Sequence, residues 1–329
     1  MNCVLSFGDL RDDAVGAIGA VGLAGGKGAS LARMSQAGLP VPPGFIVTSR
    51  AFDAVVETSG LRPRIETLLG ALDVTDSMGL AAAADALQTL VLEAPLPALV
   101  ETAIRREYAV LGPASPVAVR SSAVAEDGDT ASFAGQQETF LNVVGADRLV
   151  SSVSACWASS FSERALFYRA QKGSLADVRM AVVVQRMVAA EKSGVMFTMD
   201  PVTRDPNRVV VEAVFGLGEG IVSGELTPNH YVLDRETGAI VEEIVAPQSV
   251  AIVCDPSGGT KTIALDHAVG SRRVVEAGDL EVLRSACGRR LRRQGRHDLR
   301  PPAGHVWHLS VGTVWLREAR QHGHTSARV

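Results

Sequence analysis

Several absences narrow the function of this sequence before any motif is read. No apolar run reaches the roughly 18 residues that a membrane helix needs, so no membrane span is expected. The N-terminus shows neither a basic start nor a long apolar core, which argues against a signal peptide. Cysteine is scarce: Cys3, Cys156, Cys254 and Cys287 are scattered, with no CxxC spacing. A disulfide framework is therefore not expected, and a reduced, cytoplasmic setting is. Positive charge is not in excess. The formal net charge of −4 carries no nucleic-acid signature. There is no internal repeat. The Walker A spacing G-x-x-x-x-G-K-[ST] is missing too, so a bound nucleotide would need a different phosphate cradle.

What is present suits a mixed α/β protein. The 329 residues are 47% apolar and rich in Gly and Ala, enough for two or three lobes with separate cores. The pattern predicts a helix over 27–37, ended by Gly38 and the prolines at 40, 42 and 43. A strand follows at 45–48, and helices fill 51–111, where Leu80, Ala84, Leu87 and Val91 recur three and four apart. Further helices are expected over 146–158, 162–171 and 279–293. Residues 180–184 form a continuous apolar run and read as a buried strand. Strands are also expected at 117–120, 195–198, 209–213, 231–233, 240–245 and 313–316. The expected boundary falls near Gln185, giving an N-terminal lobe over 1–185, with a helical insertion at 51–111, and a C-terminal lobe over 186–329.

Two segments carry chemistry. In the first, the strand at 117–120 runs into Arg120-Ser121-Ser122, and an acidic, small-residue loop leads to Ser132-Phe133-Ala134-Gly135-Gln136-Gln137. A fixed guanidinium with hydroxyls beside a glycine-containing loop suits a polyphosphate, although an Arg-Ser-Ser at a strand end is also ordinary turn chemistry. The second, Gly25-Gly26-Lys27-Gly28, opens a helical pattern with Leu31 and Met34 on one face. Glycines, one lysine and a helix N-terminus make an anion site, although a plain turn before a helix has the same look.

Five ordered blocks carry a wider resemblance. They are GGKGASLARMSQAGLPVPPGFIVTSRAF (25–52), AVRSSAVAEDGDTASFAGQQETFLNV (118–143), CWASSFSERALFYR (156–169), VVVQRMVAAEKSGVMFTMDPVT (182–203) and VVVEAVFGLGEGIVSGELTPNHYVLDR (209–235). Together they resemble the ATP-binding domain of the phosphoenolpyruvate synthase, pyruvate phosphate dikinase and rifampicin phosphotransferase group. The resemblance implies an ATP-grasp fold, of α/β (α+β) class, with two lobes and the nucleotide cleft between them. It implies ATP and Mg²⁺ as ligands, with Lys27 and Arg120 clamping phosphates and Ser132, Gly135 and Gln136 in a lid. Gln185 and Met187 would meet adenine. Glu212 suits the ribose hydroxyls or a nearby cation. The run Gly216-Leu217-Gly218-Glu219-Gly220 either brings backbone close to a ligand or is a bulge beside a strand. In such enzymes ATP is cleaved between the α and β phosphates. The diphosphoryl goes to a histidine on a separate swivelling domain, AMP remains, and a third domain passes phosphate to a small acceptor.

The chain departs from that pattern in two ways. Histidine and acceptor domains would need several hundred further residues, so both are expected in trans or on a longer chain. The ending His322-Gly323-His324-Thr325 only faintly echoes the histidine motif. The closing segment also differs. Val306 stands before Trp307 where relatives have glutamate, and Glu318 replaces a glutamine, while Arg320 is kept as a catalytic candidate. Valine cannot ligate Mg²⁺, which leaves Glu318 as the motif's metal candidate. The arginine-rich run over 289–300 can bind polyanions but reads more readily as a solvated helix face and tail. His305-x-x-His308 has no cysteine or carboxylate pattern to complete a zinc site. Two other classes compete with the dikinase reading: a nucleotide-binding module without catalysis, and a self-contained ATP-grasp ligase. The five blocks argue against the ligase.

Overall fold

The computed structural model describes residues 3–11, 18–124, 138–171, 173, 175, 178–283, 285, 304–310 and 313–319, the last two segments by backbone alone. The chain divides into two compact units. The first comprises Met1–Arg33 and Pro43–Met187, the second Met34–Pro42 and Val188–Val329.

The first unit is a five-stranded antiparallel sheet covered by helices. Its elements are β1 (Val4–Ser6), α1 (Gly19–Gln36, which ends in the second unit), β2 (Gly44–Val47), α2 (Ser49–Thr58), α3 (Arg62–Gly70), α4 (Ser77–Leu92), α5 (Ala98–Leu111), β3 (Val117–Ala123), β4 (Thr139–Val143), α6 (Ala146–Ala158), α7 (Glu163–Gln171) and β5 (Met180–Arg186). The strand order is β1-β2-β5-β3-β4. Alternation along the strands sorts the two faces. Phe45, Val47, Val117, Val119, Val182 and Val184 join Phe52, Val55, Leu87, Ile104, Tyr108 and Trp157 in the main core. Ala118, Arg120 and Ser122 alternate with them and take the other face. The helices expected over 51–111 are present as α2 to α5, and with α6 they form the helical side of the first unit's core. Asp76 starts α4 by accepting a hydrogen bond from the Met78 N–H.

The second unit is built on a six-stranded antiparallel sheet in the order β13-β12-β6-β7-β8-β9. Its strands are β6 (Lys192–Phe197), β7 (Arg208–Phe215), β8 (Asn229–Asp234), β9 (Ile240–Ile244), β12 (Gly304–Ser310) and β13 (Thr313–Ala319). A short α8 (Glu219–Ser223), a hairpin of β10 (Val250–Cys254) and β11 (Thr260–Ala264), and α9 (His267–Gly270) complete it. Met196, Val209, Val211, Ala213, Tyr231 and Leu233 pack with Met34, Leu39, Val274, Val275, Leu280 and Leu283. Residues 277–283 are helical, and the remainder of the helix expected over 279–293 lies largely outside the described residues.

Both sheets are antiparallel, so the α+β side of the expected class is the observed one. One local expectation is corrected. Arg120 does not end its strand: β3 continues through Ser121 and Ser122 to Ala123, held on one side by β5 and at Arg120 by β4. The helix expected over 27–37 is the part of α1 that follows Gly25, whose φ of 66° and ψ of 172° are non-helical, and an additional helical stretch from Gly19 precedes that break. Among the described residues, no helix is long and apolar enough to cross a membrane.

Candidate nucleotide site

The break at Gly25 is where the glycine-lysine segment meets β3. In an unbroken helix the Gly28 N–H would donate to the Ala24 carbonyl. Here the Ser122 hydroxyl stands between them, accepting from the Gly28 N–H at 3.2 Å and donating to the Ala24 carbonyl at 2.9 Å. Insertion of a side chain into the helical ladder is a recognised cause of a sharp kink. The approach is so close that a Cβ on Gly25 would lie 2.2 Å from the Ser122 carbonyl oxygen and 2.3 Å from its Oγ. Only glycine satisfies both this contact and the positive φ.

Lys27 follows directly. It is half-buried, and its ammonium donates to the Ser121 carbonyl at 2.9 Å. Cys156, fully buried in the main core, has its thiol pushed up by burial, with the charge of Lys27 acting in the opposite sense. Arg120 is 7% exposed and its Nη1 approaches the Gln185 Oε1 at 3.4 Å from the neighbouring strand. Lys27, Arg120 and Gln185 are thus brought together on one part of the first unit, on and beside the sheet face opposite the main core. Such a set can receive an anion on its two cations while an amide offers both a donor and an acceptor. Met187, half-buried, donates its N–H to the Pro116 carbonyl at 2.8 Å, which extends the sheet past β5.

Other candidates lie elsewhere. Glu212 belongs to the second unit, on β7, paired in register with His230 on β8. The His230 Nδ1 is 3.8 Å from the Glu212 Oε1. The histidine is held above its ordinary value, first by its pairing with Glu212, against desolvation, with Glu242 and Asp200 adding to the rise. No signal in the sequence pointed to His230, because the pairing exists only across strands. Glu318 lies in the register row of His305, Met196, Val211 and Tyr231, next to the row of Val306, Val195 and Glu212. The glycine run after β7 meets the β10 strand at its start. Gly216 bridges to Ile252, and the Leu217 N–H donates to the Ile252 carbonyl at 2.8 Å. A Cβ on Gly216 would lie 2.4 Å from that carbonyl oxygen. Ser132, Gly135, Gln136 and Arg320 lie outside the described residues. Among the described residues no three His, Cys, Asp or Glu side chains converge as a metal site.

Comparison with known proteins gives this geometry its context. The chain is 41% identical over 264 residues to a probable phosphoenolpyruvate synthase of Methanocaldococcus jannaschii, covering 78% of this chain and 22% of that protein. A probable phosphoenolpyruvate synthase of Methanothermobacter thermautotrophicus is 38% identical over 323 residues, 96% of this chain and 45% of the relative. The prodigiosin synthesizing transferase PigC of Serratia marcescens is 38% identical over 295 residues, 90% of this chain and 31% of the relative. The chain therefore spans less than half the length of each of these relatives. The sequence profile of the pyruvate phosphate dikinase AMP/ATP-binding domain matches residues 21–293, and the chain belongs to that family.

Proposed function

We propose that this chain is the ATP-grasp domain of a dikinase-type phosphotransferase and binds Mg²⁺-ATP for transfer of its β,γ-diphosphoryl group to a histidine on a separate domain. The carrying observation is the convergence of Lys27, Arg120 and Gln185 beside the Gly25 break. Phosphoryl transfer asks a protein mainly for positioning and charge neutralisation. Lys27 and Arg120 supply two cations for the phosphate oxygens, and Arg320 adds a third. Ser132, Gly135 and Gln136 close over the phosphates. Gln185 and Met187 serve adenine, Gln185 through its amide and Met187 through an apolar contact, and Glu212 accepts from the ribose hydroxyls. The attacking imidazole nitrogen forms a bond to the β phosphorus as the bond from that phosphorus to the α-phosphate oxygen breaks, and AMP departs.

A metal site made by protein side chains alone does not fit the described residues. Mg²⁺ takes several oxygen ligands, and nucleotide phosphates ordinarily supply most of them. The ion would arrive with the nucleotide, with Glu318 the carboxylate that the closing motif contributes. Val306 favours a second reading, in which the chain binds nucleotide without catalysing transfer. The histidine and acceptor domains, under either reading, would act in trans or on a longer chain, in the cytoplasm.

Calorimetry on Lys27→Ala and Arg120→Ala tests the assignment. A charge-assisted hydrogen bond is worth about 1.5–3 kcal/mol, so each variant should weaken ATP by roughly 10- to 150-fold. Adenosine should bind as before. Equal losses for ATP and adenosine would contradict the phosphate roles.

A further inference from the structure

We infer that Ser122 is a positioning residue for polyphosphate: its hydroxyl, inserted into α1 at the Gly25 break, determines where the Lys27 ammonium stands. The inference rests on the reading of Lys27 as a phosphate cation. It starts from backbone geometry. Gly25 turns the chain out of the helix, which separates the Ala24 carbonyl from the Gly28 N–H. Both groups are polar and belong to buried residues, and burying such groups without partners costs free energy. The Ser122 hydroxyl satisfies both at once, because a hydroxyl donates one hydrogen bond and accepts others. Ser122 is 0% exposed, which leaves no access for bulk water to take over that role.

The consequence falls on the residue between. Lys27 immediately precedes Gly28, whose N–H is bound to Ser122, and its own ammonium is held by the carbonyl of Ser121. Two successive residues of β3 therefore grip α1 at the break, Ser122 on both sides of it and Ser121 just after it. The strand that carries Arg120 also fixes the frame from which Lys27 projects. The two phosphate cations are registered to each other through Ser122, although 93 positions separate them in the chain. Without the hydroxyl, the Ala24 and Gly28 groups can be satisfied only if the segment shifts, and Lys27 shifts with it. Alanine removes both hydrogen bonds. Cysteine keeps the shape and substitutes a weak donor and acceptor, so it should produce a smaller effect of the same kind.

A double-mutant cycle on the full chain tests this. Wild type, Ser122→Ala, Lys27→Ala and the double variant are titrated with ATP, inorganic tripolyphosphate and adenosine. Ser122→Cys is carried alongside, in case the alanine variant does not fold. If Ser122 acts through Lys27, Ser122→Ala weakens ATP and tripolyphosphate by about fivefold or more and leaves adenosine unchanged. The double variant then binds no more weakly than Lys27→Ala alone, since interacting residues are non-additive. A purely structural role would instead lower all three ligands together, or add its loss to that of Lys27→Ala, and either result overturns the inference. So does wild-type ATP binding by both Ser122 variants. If Lys27→Ala leaves ATP and tripolyphosphate untouched, the underlying phosphate reading fails by a separate arm of the same cycle.

Discussion

Replacing Gly25 with alanine probes the contact on which the candidate site is built. The substitution adds one methyl group to a backbone at φ 66° and ψ 172°. That region is almost exclusive to glycine, and an alanine held there costs about 1–3 kcal/mol. The methyl would also lie 2.2 Å from the Ser122 carbonyl oxygen and 2.6 Å from its carbonyl carbon. These are buried backbone atoms of a paired strand and cannot swing aside. Overpacking of this kind adds roughly 1–3 kcal/mol, so the total is about 2–6 kcal/mol. Domains are stable by only about 5–15 kcal/mol, so the loss should be large. Gly60 provides the control. Its φ of 62° is also positive, but nothing lies within 4 Å of an added Cβ. Its cost is conformational alone, about 1–2 kcal/mol. Urea unfolding followed by circular dichroism should place the Gly25→Ala midpoint well below that of Gly60→Ala. Calorimetry under native conditions should show weakened ATP binding only for Gly25→Ala. Equal midpoints for the two variants would refute the close approach of α1 to β3.

Three further outcomes are expected. His230 should titrate above its ordinary value of about 6.5, and Glu212→Gln should lower its midpoint in an NMR titration. A raised pKa in the folded state means that the pair stabilises fully below about pH 6.5 and that this contribution is lost as pH rises through the folded value. The stability difference between wild type and His230→Gln should therefore shrink on going from acid to alkaline pH, and a constant difference would contradict the pairing. Lys192 and Asp279 form an ion pair at 2.7 Å with side chains 22% and 21% exposed, tying β6 to the helical residues 277–283. Removing either partner should cost about 1–3 kcal/mol in chemical denaturation, more than an exposed pair would, with clear coupling in the double variant. Trp157 is fully buried 5.6 Å from the Phe52 ring, and its Nε1–H has no acceptor among the described residues. Trp157→Phe should cost about 1 kcal/mol or less, because no hydrogen bond is lost, whereas Trp157→Ala should cost about 3–5 kcal/mol in the same unfolding measurement.

Much of the local structure was legible in the residues. The apolar run at 180–184 is buried strand β5, and the three-and-four spacing of Leu80, Ala84, Leu87 and Val91 is the buried face of α4. These elements follow from short-range periodicity, which one stretch of chain carries by itself. The family was legible as well, because five ordered blocks resemble it along most of the chain. Boundaries were less so. Residues 121–123 look like turn chemistry, with two small hydroxyls after an arginine, yet they stay in β3 because β5 pairs with them. The hairpin of β10 and β11 and the strand β12 gave no period strong enough to read, and their pairing is what defines them.

The sequence by itself determined which chemistry is present: a lysine among glycines, an arginine followed by two serines, and an amide at the end of a buried strand. Only the tertiary structure decided how they meet. The Ser122 hydroxyl bonds the Ala24 carbonyl across 98 positions, and Lys27 reaches the Ser121 carbonyl across 94. Nothing local to either segment encodes that meeting. It arises because burying the other face of the sheet against α2, α4, α5 and α6 leaves this face to α1, and because a glycine break lets the helix come close enough for one hydroxyl to complete its ladder. The pairing of Glu212 with His230 has the same origin, since antiparallel register sets two side chains opposite each other that the chain order keeps 18 residues apart.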